Sequence, residues 1–293
     1  MVKMFNFWYF FFIIVTLGAI VGLFFLFRNK SMKAKKILII SLLMFNFILH
    51  FVKAFMYPYN VNPEMMIENT FCINICAVSV VVFPFLYFSK SNTAKDWMFY
   101  LGCISGFLAV FYPTSALNRS IELLDVWRFY VCHIIIFITP LLMVMLGIHK
   151  LNYRNVWKMP LCMLLVLLFI MCNQVLLAEL GAIDLRGDDI FAPGCNYRNT
   201  SLIWGPTDGV AALFTWLTPK FMKTIPFGEF AGQEKYWPFF YLIPGIILYF
   251  TVIPFLLSLI WEHKRVKEDL LLLVNKVKTL KIFNKSNDKQ KDD

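Results

Sequence analysis

Seven stretches of this chain stay apolar for about as long as a lipid bilayer is thick. A hydrocarbon core about 30 Å across takes roughly 20 helical residues to cross. The stretches Phe7–Phe27, Ile37–Phe55, Ile67–Phe88, Trp97–Pro113, Val126–Ile148, Met159–Leu180 and Phe239–Trp261 approach or meet that length. Transmembrane strands do not fit, because nothing alternates with period two over ten-residue units. Pro84 in the third stretch and Gly102 and Gly106 in the short fourth are tolerated, since both residue types are commoner in membrane helices than in soluble ones. The residues are 59% hydrophobic and 16% charged, against about 25% charged in an ordinary soluble chain. This composition excludes a soluble enzyme, a disordered regulator and a disulfide-stapled secreted module. The expected fold is all-α, a polytopic membrane bundle of about seven transmembrane helices.

Basic residues set the expected orientation. Arg28, Lys30, Lys33, Lys35 and Lys36 follow the first stretch, Lys90 and Lys95 the third, Lys150, Arg154 and Lys158 the fifth, and nine more lie beyond Trp261. These exits hold nineteen of the twenty-eight Lys and Arg and are expected in the cytoplasm, which makes the chain N-out and C-in. The net charge of +10 is thus an orientation signal and not a sign of nucleic-acid binding. The first stretch is too long for a signal peptide and lacks a small-residue cleavage pattern, so it is expected to be retained. The expected organisation is a transmembrane domain over 1–261, with an outer loop over 181–238 in which Gly209–Leu217 suits a short interfacial helix. A basic amphipathic cytoplasmic helix over 262–283 and a disordered tail over 284–293 are expected to follow.

Polar side chains inside the membrane are costly and therefore mark function by default. By helical rise, Cys76 lies about 10–13 Å and His133 about 8–10 Å below the outer edge of their spans. His50, Lys53, Asn74, Arg128, Asn173, Gln174 and Glu179 fall in the same outer half, whereas the inner halves of spans two, three, five and six are almost purely apolar. Each residue alone is accounted for by a helix-to-helix hydrogen bond worth ~0.6 kcal/mol. Together, at one depth on one side, they point to an outward-facing polar cavity. Within it Cys76 and His133 suit a nucleophile and its base, because a cysteine attacks as thiolate. Buried Cys is most often inert, and the spacing of Cys72 and Cys76, with no matching pair elsewhere, does not suit zinc. No metal and no cofactor is expected, and no nucleotide-binding or hydrolase motif is present.

Several short runs carry a resemblance by their order: Ile73-Asn74-Ile75-Cys76-Ala77-Val78-Ser79, Asp96-Trp97 through Gly102, Gly106 and Tyr112-Pro113-Thr114, Arg128-Phe129-Tyr130 through His133, Gly194-Cys195-Asn196-Tyr197, and Tyr236-Trp237-Pro238-Phe239-Phe240. In this the chain resembles the YwaF-like integral membrane family, which groups with transmembrane protein 164, over most of Met65–Trp261. The resemblance implies an α-helical membrane acyltransferase or hydrolase-like fold. In the eukaryotic branch of the family, fatty acyl groups move between phospholipids through a cysteine. Carried across, Cys76 is the nucleophile and His133 the general base, and Asn196 and Tyr197 match an Asn-Tyr pair expected to shape the pocket mouth. The chain departs from the family pattern at Asn74, where His is common, and at Tyr236–Phe239, where a longer Trp-rich run is usual.

The resulting expectation is a multi-pass cell-membrane protein, in a bacterial plasma membrane, that transfers or hydrolyses lipid acyl groups at the outer leaflet. Cys76 and His133 are the catalytic candidates; His50, Asn74, Arg128, Asn173, Gln174, Asn196 and Tyr197 are the substrate-binding ones. Asn74, Asn173 or Gln174 would supply oxyanion hydrogen bonds, and Arg128 would meet a lipid phosphate. Membrane lipids are the expected partners. The rival readings are a non-catalytic lipid or small-molecule transporter or binding protein, and a scaffold acting through the basic tail.

Overall fold

The protein is represented by a computed structural model, which describes residues 1–183, 201–206 and 211–289; side-chain placement at Glu64, Glu68 and 277–289 is left aside. Cys195, Asn196 and Tyr197 therefore lie outside the described residues. The fold is all-helical: α1 Phe7–Phe27, α2 Met32–Val52, α3 Pro63–Thr70, α4 Ile75–Phe88, α5 Asn92–Phe111, α6 Leu124–Met145, α7 Met159–Glu179, α8 Ala212–Thr215 and α9 Ile243–Lys289. Among the described residues, five helical segments are long and apolar enough to cross a membrane: α1, α2 with its 3-10 extension to Phe55, α6, α7 with the turn before it, and the first part of α9.

Polar caps fix where these helices start. Asn6, Ser31 and Ser91 each accept a hydrogen bond from the backbone N–H three residues on, satisfying a donor that the first turn leaves unpaired. Asn74 does the same for Ala77 at 2.8 Å. That cap corrects the expected third span, Ile67–Phe88, which is two helices: α3 ends at Thr70 and α4 begins at Ile75. Hydropathy runs through the break because Phe71, Cys72 and Ile73 are apolar, but Asn74 takes extended backbone and starts a new helix. The 14 residues of α4 rise about 21 Å, short of a hydrocarbon core about 30 Å thick.

The core forms where α5 and α6 pack together. Gly102 and Gly106 let the backbones close: a Cβ on Gly106 would stand 2.8 Å from the Phe137 nitrogen, and one on Gly102 2.8 Å from the Ile136 oxygen. Around this pair, α2, α4 and α6 pack against one another, α1 lies against α6, and α7 sits against α4 and α9. Only Tyr9, Phe12 and Thr16 of α1 are buried, and Phe12 stacks on Tyr130 with ring centroids 3.6 Å apart. The opposite side of α1, with Phe7, Ile14, Val21, Phe25 and Leu26 exposed, presents an apolar surface that lipid suits. α8 falls within the expected short helix of the outer loop. α9 runs without interruption past Trp261 to Lys289, so the basic segment continues the last apolar helix.

Candidate functional site

Two polar clusters lie at opposite ends of α6. The first, near its N-terminus, holds most of the residues singled out from the sequence. Asp125 anchors it. Its Oδ1 accepts from Arg128 Nε at 2.8 Å and Nη2 at 2.6 Å, and its Oδ2 from Arg119 Nη1 at 2.5 Å. Arg128 also donates to Tyr59 Oη at 3.2 Å and lies over the Tyr59 ring. Arg128 is thus not a free cation at the pocket mouth. Asp125, Arg119 and Tyr59 went unnoticed in the sequence reading, although an acid three residues before an arginine at a helix start is a recognisable i, i+3 pair. Burial lifts the Tyr59 phenol above its ordinary pKa, with Arg128 opposing, so Tyr59 stays neutral.

Beside this anchor, His50 at the end of α2 is 3% exposed. Its Nε2 lies 2.9 Å from the Thr70 carbonyl and its Nδ1 3.3 Å from Lys53 Nζ. A carbonyl only accepts and an ammonium only donates, so His50 is neutral and carries its proton on Nε2. The imidazole therefore ties the end of α2 to the end of α3. Asn46, one turn earlier, donates to the Cys132 carbonyl at 3.2 Å and ties α2 to α6.

Cys76 is the second residue of α4 and half-buried. Its titratable neighbours are Cys132 and Lys53. The N–H groups of Ile75 and Cys76 precede the first intrahelical bond, from Val78 to the Asn74 carbonyl, and donate to nothing among the described residues. His133, half-buried on α6, holds its Nδ1 2.7 Å from the Phe129 carbonyl, which places the proton on Nδ1 and leaves the Nε2 lone pair free. The two helices pack together, yet no hydrogen bond joins Cys76 to His133 among the described residues. Asn173 is half-buried on α7. Gln174 is buried and accepts from Trp204 Nε1 at 2.9 Å. The other face of α7 borders a cavity of about 710 Å³, walled by Met171, Leu176, Phe227 and Trp237 with Glu179 on its lining; Asn173 and Gln174 do not line it.

The second cluster, past the C-terminus of α6, escaped the sequence reading as a site; only Asp96 and Lys158 were named there, for the resemblance and for orientation. Asp96 is completely buried and accepts from His149 Nε2 at 2.7 Å and Asn155 Nδ2 at 2.8 Å. Lys158 donates to Asn155 Oδ1 at 3.1 Å. Nearby, buried Glu262 of α9 accepts from the Tyr153 backbone N–H at 2.6 Å. These bonds clamp the segment after α6 onto α5 and α9.

A family model for the TMEM164 family matches residues 2–199, which takes in α1 through α7 and both candidate catalytic residues. The chain belongs to the TMEM164 family. The match ends before the Tyr236–Phe240 run. No curated protein and no solved structure matches the chain. As a TMEM164 family protein the chain is a multi-pass membrane protein.

Proposed function

We propose that this TMEM164 family protein is a cysteine-dependent acyltransferase acting on membrane lipids. One observation carries the reading: Cys76 occupies the first turn of α4, where its own N–H and that of Ile75 have no partner among the described residues. A helix N-terminus is the setting of reactive cysteines. Free N–H groups there suit an oxyanion, each worth about 3–4 kcal/mol of barrier when well placed. Asn74 builds that terminus, and the Phe129 carbonyl holds His133 in the tautomer whose Nε2 accepts a proton.

In the proposed first step, Cys76 attacks a lipid ester carbonyl as its thiol proton passes to His133 Nε2. The tetrahedral oxyanion collapses to a thioester, and the lyso-lipid alkoxide leaves with the proton from His133. In the second step an acceptor hydroxyl, of lipid or water, attacks the thioester, gives its proton to His133 and regenerates the thiol. Incubation with a labelled phospholipid should give a hydroxylamine-sensitive acyl adduct on Cys76 and none on Cys76→Ala. Equal labelling of the two proteins would end the assignment. A second reading, a non-catalytic lipid or small-molecule transporter or binding protein, draws on the absence of a Cys76–His133 hydrogen bond. It requires that Cys76→Ala retain lipid with no turnover in either protein.

A further inference from the structure

We propose that Lys53 and Arg128 form a binding site for a phosphate-class anion, the headgroup phosphate of a membrane lipid. This deepens the acyl-transfer reading by placing the headgroup beside the reacting cysteine.

The argument starts from what Lys53 lacks. It is only 5% exposed, and among the described residues its side chain makes one hydrogen bond, to the neutral His50 Nδ1. No carboxylate pairs with it among the described residues, and both oxygens of the nearest one, Asp125, are already held by Arg128 and Arg119. Arg128 reaches the same corner through Tyr59, whose 3-10 turn packs against the turn that holds Lys53. A buried Lys53 and an Arg128 only 12% exposed, with one carboxylate shared between two arginines, leave a positive excess where an unpaired charge is costly. Lys53 has two ammonium N–H groups left, and Arg128 Nη1 makes no hydrogen bond to nitrogen or oxygen among the described residues. A phosphate offers several oxygens to such converging donors.

The source follows from the surroundings. Phe55 and Tyr57, two and four residues on, are 82% and 62% exposed, as aromatic side chains are where they sit at headgroup level. A lysine at that level ordinarily extends into the headgroup layer; Lys53 instead turns inward, against His50. The anion nearest to hand at that depth is a lipid phosphate.

The test uses the full chain, purified in detergent, with bound lipid counted by native mass spectrometry. Titration with phosphatidylglycerol should show one tightly held lipid, whereas diacylglycerol with the same chains should not be held. Lys53→Met should weaken retention about 10–100-fold, the loss of a hydrogen bond between charged groups. Lys53→Arg should keep most of it, and Arg154→Gln at the opposite end should change nothing. Methionine is nearly isosteric, and replacing a buried ion by an apolar side chain is often neutral or stabilising, so the lipid-free thermal midpoint of Lys53→Met should hold or rise. Equal retention by wild type and Lys53→Met, equal retention of diacylglycerol, or loss in Lys53→Arg as deep as in Lys53→Met would overturn the site. Inorganic phosphate binding as tightly as the lipid would overturn the lipid source. Because Cys76→Ala should retain the lipid fully, failure of the acyl-transfer reading is seen separately.

Discussion

His133 illustrates how one backbone carbonyl sets the chemistry of a side chain. With its proton held on Nδ1 by Phe129, the ring presents a base at Nε2. Replacing it with Phe should lower acyl-adduct formation on Cys76 by about 10²–10⁴-fold, the usual contribution of a positioned base. Lipid retention should stay unchanged, and a drop in both would show a structural role instead. Asp125 plays the complementary part. Asp125→Asn leaves Arg119 and Arg128 competing for a neutral partner and should destabilise the fold by about 3–5 kcal/mol, as breaking a buried ion pair does, measurable as a lowered thermal midpoint. At this scale the sequence named Cys76, His133, His50 and Arg128 from depth alone. It missed Asp125 and Tyr59, because depth along a helix says nothing about which side chain a guanidinium faces.

At the level of helices, local chemistry outweighs hydropathy at one point. A largely apolar profile continues from Ile67 to Phe88, but the Asn74 cap divides it. Asn74→Ala should cost about 1 kcal/mol of stability through the lost cap, and should also impair adduct formation, since the cap places the first turn on which Cys76 sits. Retained stability together with retained activity would argue against a functional break. The α5–α6 contact depends on small residues spaced four apart, a known device for close helix approach. Gly106→Val places side-chain atoms where the Phe137 backbone already lies and should lower the thermal midpoint more than Gly18→Val on α1, where a Cβ meets nothing within 4 Å.

For the molecule as a whole, the basic exits predict which end faces the cytoplasm. A fluorescent protein fused after Asp293 should fluoresce in cells while alkaline phosphatase at the same position stays inactive; the reverse would place the Arg128 end inside and remove the outer-leaflet assignment. The two ends of α6 are built differently, and the contrast does not depend on orientation. At the Asp96 end a buried carboxylate has two donors, and the charges close on one another. At the Arg128 end cations outnumber their partners, and that end also carries the cysteine, the histidine and the unpaired N–H groups.

By itself the sequence determined that the chain is helical and lives in a membrane, because long apolar runs have no other stable environment and a helix satisfies its own backbone there. It also pointed to the half of the bundle around Cys76 and His133 as one place where polar groups gather. Only the tertiary structure decided that the third span is broken, that Arg128 belongs to Asp125, that Gln174 belongs to Trp204, and that Lys53 turns inward beside His50. Those outcomes depend on which faces of α2, α4 and α6 meet. That is settled by three-dimensional packing and hydrogen-bond satisfaction between residues far apart in the chain, and no hydropathy window contains it.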